Sequence, residues 1–215
     1  MTQVWIIGSG RFGLRAARVM LEQNKPAIDV TLVDRDQSCL DKAAALGCTT
    51  VIGDGADFLF REMTRNRQPD WVVPAVPVHL AWEWCCLTLG TGRLLSYLLP
   101  ETIDARLPHP VRGTDNQIYV SYADFLCPPN CSEPEDRCTV TGKPRKKEMF
   151  RVIAELNFPQ MVPFVIQSRQ LGPGVGGYPP ADLCALADRI SRHRGRCLVA
   201  TACRCHGVIS GGLVK

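Results

Sequence analysis

Val4-Trp5-Ile6-Ile7-Gly8-Ser9-Gly10-Arg11-Phe12-Gly13 opens the chain with an uninterrupted apolar run that ends in three spaced glycines. Such a run, apolar without alternation, is the pattern of a strand covered on both faces of a parallel sheet. Helical spacing follows in Ala16, Ala17, Val19, Met20 and Leu21, and a second apolar run, Ile28 to Val33, ends at Asp34. Strand, glycine turn, helix, strand and acid, in that order, form the context in which G-x-G-x-x-G becomes a dinucleotide fingerprint.

Each part has a mechanical job. Gly8 permits the tight turn out of the strand, and Gly10 lets the backbone approach a pyrophosphate. Gly13 allows close helix–strand packing, and the helix N-terminus offers unpaired N–H groups to an anion. Ser9, Arg11 and Phe12 complete the turn. Asp34 stands about 20 residues further on, where a carboxylate accepts hydrogen bonds from the ribose hydroxyls and repels a 2′-phosphate. NAD(H) is therefore expected in preference to NADP(H), with Arg35 offsetting part of that repulsion.

The alternation continues. Asp41 to Leu46 reads as helix with Gly47 as its stop, Cys48 to Ile52 as a third strand, Asp70 to Ala75 as a fourth, and Val78 to Leu89 as an apolar helix. The fold class expected is α/β: a Rossmann-like, mostly parallel sheet with helices on both faces, carrying a cysteine-rich loop insertion.

Ile6-Ile7-Gly8-Ser9-Gly10-Arg11-Phe12-Gly13, Val33-Asp34-Arg35-Asp36, Leu46-Gly47-Cys48 and Gly53-Asp54-Gly55-Ala56-Asp57 together resemble the TrkA-N, or RCK N-terminal, NAD-binding domain of potassium-transport regulators. The resemblance covers residues 4–75, about a third of the chain. It implies that Arg11, Asp34, Asp36, Gly53 and Asp54 surround the adenosine and phosphates. It also implies a protein partner such as a transporter, or a homo-oligomer. Residues beyond 100 match neither the family's helical dimerisation segment nor its C-terminal ligand domain.

Composition bounds the rest. The chain has 215 residues, 46% hydrophobic and 21% charged, which excludes a disordered or collagen-like chain. A net charge of +4 is too weak to argue for nucleic acid. The longest apolar stretch, Val72 to Leu89, is broken by Pro74, Pro77, His79 and Glu83, so the protein is not expected to be membrane-embedded. The N-terminus lacks a basic region and its apolar run is too short for a secretory signal, so a soluble, cytoplasmic protein is expected. In that compartment eleven cysteines are unusual, and clustered ones bind metal or do redox chemistry more often than they form disulfides.

Three of them, Cys127, Cys131 and Cys138, fall in a proline-rich polar loop that no core periodicity explains. Cys203, Cys205 and His206 follow the apolar run Leu198 to Thr201 and offer a fourth ligand. A tetrahedral zinc or an iron–sulfur cluster would be satisfied by three plus one, and the spacing does not choose between them. Cys39, Cys48, Cys85, Cys86, Cys184 and Cys197 sit in helical or strand context and read as packing residues. His79 and His109 read as structural. The glycine-rich segment 172–177, after a strand at Pro163 to Gln167 and before a helix at Ala181 to Arg192, is either a ligand loop or a surface turn, with Arg169 beside it.

Three regions follow: a dinucleotide-binding region over 1–98, a proline- and cysteine-rich connection over 99–150, and a C-terminal βαβ unit over 151–215 expected to continue the same sheet. The function expected is an NAD(H)-binding regulatory or sensory protein with a cysteine-rich metal or redox centre. The alternatives are an NAD(H)-dependent oxidoreductase using that centre, and a Rossmann-fold protein with a purely structural zinc. Whether the protein is an enzyme stays open at this point.

Overall fold

The computed structural model describes residues 1–22, 27–65, 67–90, 92–113 and 115–215. The N-terminal half runs β1 (Thr2–Ile7), α1 (Arg11–Glu22), β2 (Ile28–Asp34), α2 (Gln37–Ala44), β3 (Thr49–Ile52), α3 (Gly55–Thr64) and β4 (Trp71–Pro74). The strands form a sheet of order β3-β2-β1-β4, parallel throughout. Val4, Ile6 and Ile7 of β1 are fully buried, as the unalternating apolar run requires of a strand covered on both faces. A parallel sheet flanked by helices is the Rossmann-like arrangement expected.

One helix of this half was not legible. Between the third strand and the fourth, the sequence suggested only a turn, yet Gly55–Thr64 is helical. Asp54 caps it by accepting from Asp57 N at 2.9 Å.

The second half runs α4 (Leu80–Leu89), β5 (Leu94–Ser96), a short 3-10 turn at Glu101–Arg106, β6 (Val111–Arg112), β7 (Gln117–Ser121), α5 (Met149–Ala154), β8 (Met161–Gln167), β9 (Arg169–Gly172), β10 (Val175–Gly177), α6 (Pro180–Ser191), β11 (Gly195–Ala202) and β12 (His206–Val214). Only β8, α6 and β11 form the parallel βαβ unit that was expected. Their sheet, of order β6-β7-β12-β11-β8 with β5 also on β12, is separate and largely antiparallel.

This corrects the expectation that residues 151–215 continue the first sheet. The place beside β4 is taken by the β9–β10 hairpin, through Val72 N to Tyr178 O (2.9 Å) and Tyr178 N to Val72 O (3.0 Å). The glycine-rich segment 172–177 forms the turn and second strand of that hairpin, and Gly174, Val175 and Gly176 face a cavity.

α4 joins the halves. It is apolar nearly all round, with Leu80, Ala81, Trp82, Trp84 and Cys85 buried and Leu87 exposed near its end. Its Trp82 and Trp84 share one core with Trp5, Ile7 and Phe58 of the first half and with Phe164, Leu183 and Val199 of the second. Buried His79, at its N-cap position, bonds Ser210 Oγ (2.9 Å) and Thr201 Oγ1 (3.0 Å) in the second sheet. Among the described residues, no helix is long and apolar enough to cross a membrane.

Candidate functional site

The glycine turn has the shape a dinucleotide needs. Gly8 has φ +105°, and a β-carbon there would lie 2.6 Å from Ala75 O. A β-carbon on Gly13 would lie 1.8 Å from Gly8 O, so helix and strand touch at a distance only glycine allows. A β-carbon on Gly10 would meet nothing within 4 Å, which leaves the open approach a pyrophosphate requires. α1 begins at Arg11 without an acidic residue in its first turn, so its N-terminal N–H groups face no intrahelical anion.

Asp34 is held by backbone hydrogen bonds. Its carboxylate accepts from Ser9 N (2.5 Å) and Asp36 N (3.0 Å). Burial alone would raise its pKa, but these hydrogen bonds outweigh it and hold the carboxyl below its ordinary range. Ser9 is fully buried, and its Oγ makes no well-formed hydrogen bond, although it lies near enough to Asp34 to favour the ionised form. Arg35 Nη2 meets Asp54 Oδ2 at 2.5 Å in an ion pair whose arginine is largely exposed.

Two acids carried over from the family pattern have structural duties as well. Asp36 caps α2, accepting from both Ser38 N and Ser38 Oγ at 2.8 Å. Asp54 caps α3 and holds Arg35. Gly53 N donates to Asp34 O at 2.8 Å, which keeps the Gly-Asp turn beside Asp34. Arg11 stacks over the Phe12 ring at 5.0 Å, and Phe12 is 62% exposed.

That exposed ring borders a cavity of about 660 Å³. Phe12 and Arg15 form one wall, and Cys127, Cys131, Cys138, Cys203, Cys205 and His206 lie around the others. Two distant segments therefore bring all six suggested ligands to one space. The loop segment is held by its neighbours: Gly174 N (2.9 Å) and Gln170 Nε2 (2.6 Å) both donate to Cys131 O. Arg15 Nη2 ties the hairpin tip to α1 through Pro173 O at 3.1 Å. The β11–β12 turn closes through Cys203 N to His206 O (2.9 Å), and Glu133 Oε1 accepts from Arg204 N (2.8 Å) and Cys205 N (3.2 Å).

The sulfurs have specific surroundings. Cys127 Sγ is 3.5 Å from His206 Nε2, and Cys203 Sγ is 3.8 Å from His206 Nδ1. Cys131 Sγ accepts from Glu133 N at 3.4 Å and pairs with Thr139 Oγ1 at 3.2 Å. Arg145 Nη2 donates to Cys205 Sγ at 3.0 Å. Burial, then the charges of Cys131 and Cys138, push the Cys127 thiol up, whereas hydrogen bonds from Thr141 hold Cys138 below the usual thiol range. Among the described residues, no three His, Cys, Asp or Glu side chains stand close enough together to hold one metal ion.

Residues 4–82 match the TrkA-N domain family. Residues 81–215 match a family described as "Uncharacterized protein, C-terminal domain". A protein of Archaeoglobus fulgidus, named only as an uncharacterized protein, is 30% identical over 220 residues, spanning 95% of this chain and 96% of that one. The chain belongs to that protein's family, with a TrkA-N domain at its N-terminus.

The TrkA-N domain holds Gly8, Ser9, Gly10, Arg11, Phe12, Gly13, Asp34, Arg35, Asp36, Gly53 and Asp54 around the carboxyl ends of β1 to β3. The nucleotide turn and the cysteines at 203–206 belong to two separate sheets. They meet across the face of α1. Sequence reading missed Arg15, Glu133, Arg145 and Gln170, whose roles depend on contacts far along the chain. The packing cysteines also divide: Cys48, Cys85 and Cys197 are buried, Cys39 and Cys86 are half-buried, and Cys184 is exposed, against expectation. Burial pushes Cys86 and Cys197 up to about 12, which makes them inert thiols.

Proposed function

We propose that this protein is an NAD(H)-binding regulatory or sensory protein in which the TrkA-N domain reads the nucleotide and the cysteine-lined cavity is a metal or redox centre. The observation that carries the nucleotide reading is the Asp34 carboxylate, ionised and held by Ser9 N and Asp36 N beside an open Gly10. A bound dinucleotide would place its pyrophosphate at the α1 N-terminus and its adenosine ribose on Asp34. Arg35 pairs with Asp54 at the surface, an exposed pair that a 2′-phosphate would have to compete with.

The cysteine centre is supported by six donors around one cavity that also meets α1. Zinc and an iron–sulfur cluster are the two occupants those donors suit. The proposed division of the chain is a nucleotide unit over 1–98, the cysteine loop within 99–150 and the second sheet's unit over 151–215. The partner of such a regulator would be another protein, a transporter or a second copy, and a cytoplasmic setting suits the free thiols. An NAD(H)-dependent oxidoreductase is the second reading, favoured by Phe12 and the cysteines bordering the same space.

The test is calorimetric titration of NADH into the full chain. Asp34→Ala removes two charge-assisted acceptor positions, and about 10- to 100-fold weaker binding is expected, equivalent to about 1.5–3 kcal/mol. Unchanged affinity in that variant would overturn the nucleotide assignment.

A further inference from the structure

The strand order β3-β2-β1-β4 sets the direction in which a dinucleotide extends. The chain runs outward from β1 through β2 to β3, then returns to the other side of β1 for β4. In open α/β sheets a dinucleotide lies across the crevice at such a reversal, with its pyrophosphate on the first glycine turn. Asp34 ends β2, so the adenosine ribose belongs on the β2 side of that turn. The nicotinamide half then extends to the β4 side. The glycine turn is close against that side, since Ala75 N donates to Ile7 O at 2.7 Å.

In a doubly wound dinucleotide fold, further parallel strands continue the sheet past the fourth. This four-stranded sheet ends at β4, and the β9–β10 hairpin of the C-terminal half stands beside it through Val72 and Tyr178. The cavity lies where hairpin and glycine turn meet. Phe12 and Arg15 of α1 border it, as do Gln170 and Val175 of the hairpin and Val140 of the cysteine loop. None of its described lining residues comes from β2, α2 or β3, the adenosine side. Phe12 is 62% exposed, so its ring is available to a flat heterocycle. Ser168 and Gln170 supply side chains of the kind that bond a carboxamide.

We infer that the nicotinamide half of the dinucleotide occupies this cavity, so that the C-terminal half of the chain recognises the ring. This rests on the nucleotide reading of the glycine turn and Asp34, and extends it to the second half of the ligand.

The experiment is calorimetric titration of NADH and of ADP-ribose, which lacks the nicotinamide, into the full chain and its Val140→Trp variant. Val140 is 52% exposed, so a larger side chain there narrows the cavity without entering the core. The wild-type chain should bind NADH at least about tenfold more tightly than ADP-ribose. Fluorescence of the bound NADH should be shielded from acrylamide. Val140→Trp should weaken NADH towards the ADP-ribose affinity and leave ADP-ribose unchanged. Equal wild-type affinities, or bound NADH quenched as readily as free NADH, would overturn the placement while leaving the nucleotide reading intact. Unchanged NADH binding in the variant, or an equal loss for both ligands, would overturn it too. Binding of neither ligand to the wild-type chain would instead overturn the nucleotide reading, and the placement with it. The wild-type comparison and the quenching decide the placement by themselves if the variant fails to fold.

Discussion

His79 shows how a single buried side chain sets a pH response. Its ring is enclosed between Ser210 and Thr201, and burial pushes its pKa down to about 3. In the unfolded chain an imidazole takes a proton near pH 6.5. Between those values the unfolded state binds more protons, so folding stability is complete above about pH 6.5 and declines as pH falls, by up to about 1.4 kcal/mol per pH unit. Urea midpoints at pH 8, 6 and 5 should show this decline, and His79→Gln should flatten it. An equal slope in the variant would contradict the assignment. The same scale explains what was legible at the site: Gly8, Gly10, Gly13 and Asp34 act through backbone shape and short spacing, which sequence records directly. Arg145 was not legible, because it acts by gathering Pro134 O, Glu135 O, Arg137 O and Cys205 Sγ from elsewhere in the chain.

Among the elements, the β9–β10 hairpin does the least expected work. It closes the β4 edge, supports the cysteine loop and receives Arg15 from α1. Gly174 is its tightest point, with φ +68° and a would-be β-carbon 1.9 Å from Pro129 O. Gly174→Ala should therefore displace the 127–138 loop and cost about 1–3 kcal/mol. The measurement is thermal unfolding beside the alkylation rate of the loop thiols, which should rise; an unaltered rate would show that the hairpin does not hold the loop. β12 escaped sequence reading for a related reason. Gly207, Gly211 and Gly212 dilute its strand pattern, yet Gly211 and Gly212 are needed where Tyr97 O and the Trp82 ring approach within 2.1 and 3.1 Å of a β-carbon's place. The N-terminal elements lacked such conflicts, and apart from α3 they were read correctly.

For the whole molecule, α4 makes two sheets one cooperative body, because its tryptophans belong to a core fed from both. Far-ultraviolet dichroism and tryptophan fluorescence should therefore report coincident unfolding transitions, and two separated transitions would contradict the shared core. NADH at about 100 times its Kd should raise both together by about 2.7 kcal/mol. Phe12, at the start of α1, belongs to the glycine turn and also borders the cysteine-lined cavity. The central claim is that Asp34 selects an unphosphorylated ribose. Parallel titrations of NADH and NADPH into the full chain test it most directly: NADH should bind at least about tenfold more tightly, and equal affinities, or no binding of either, would contradict it.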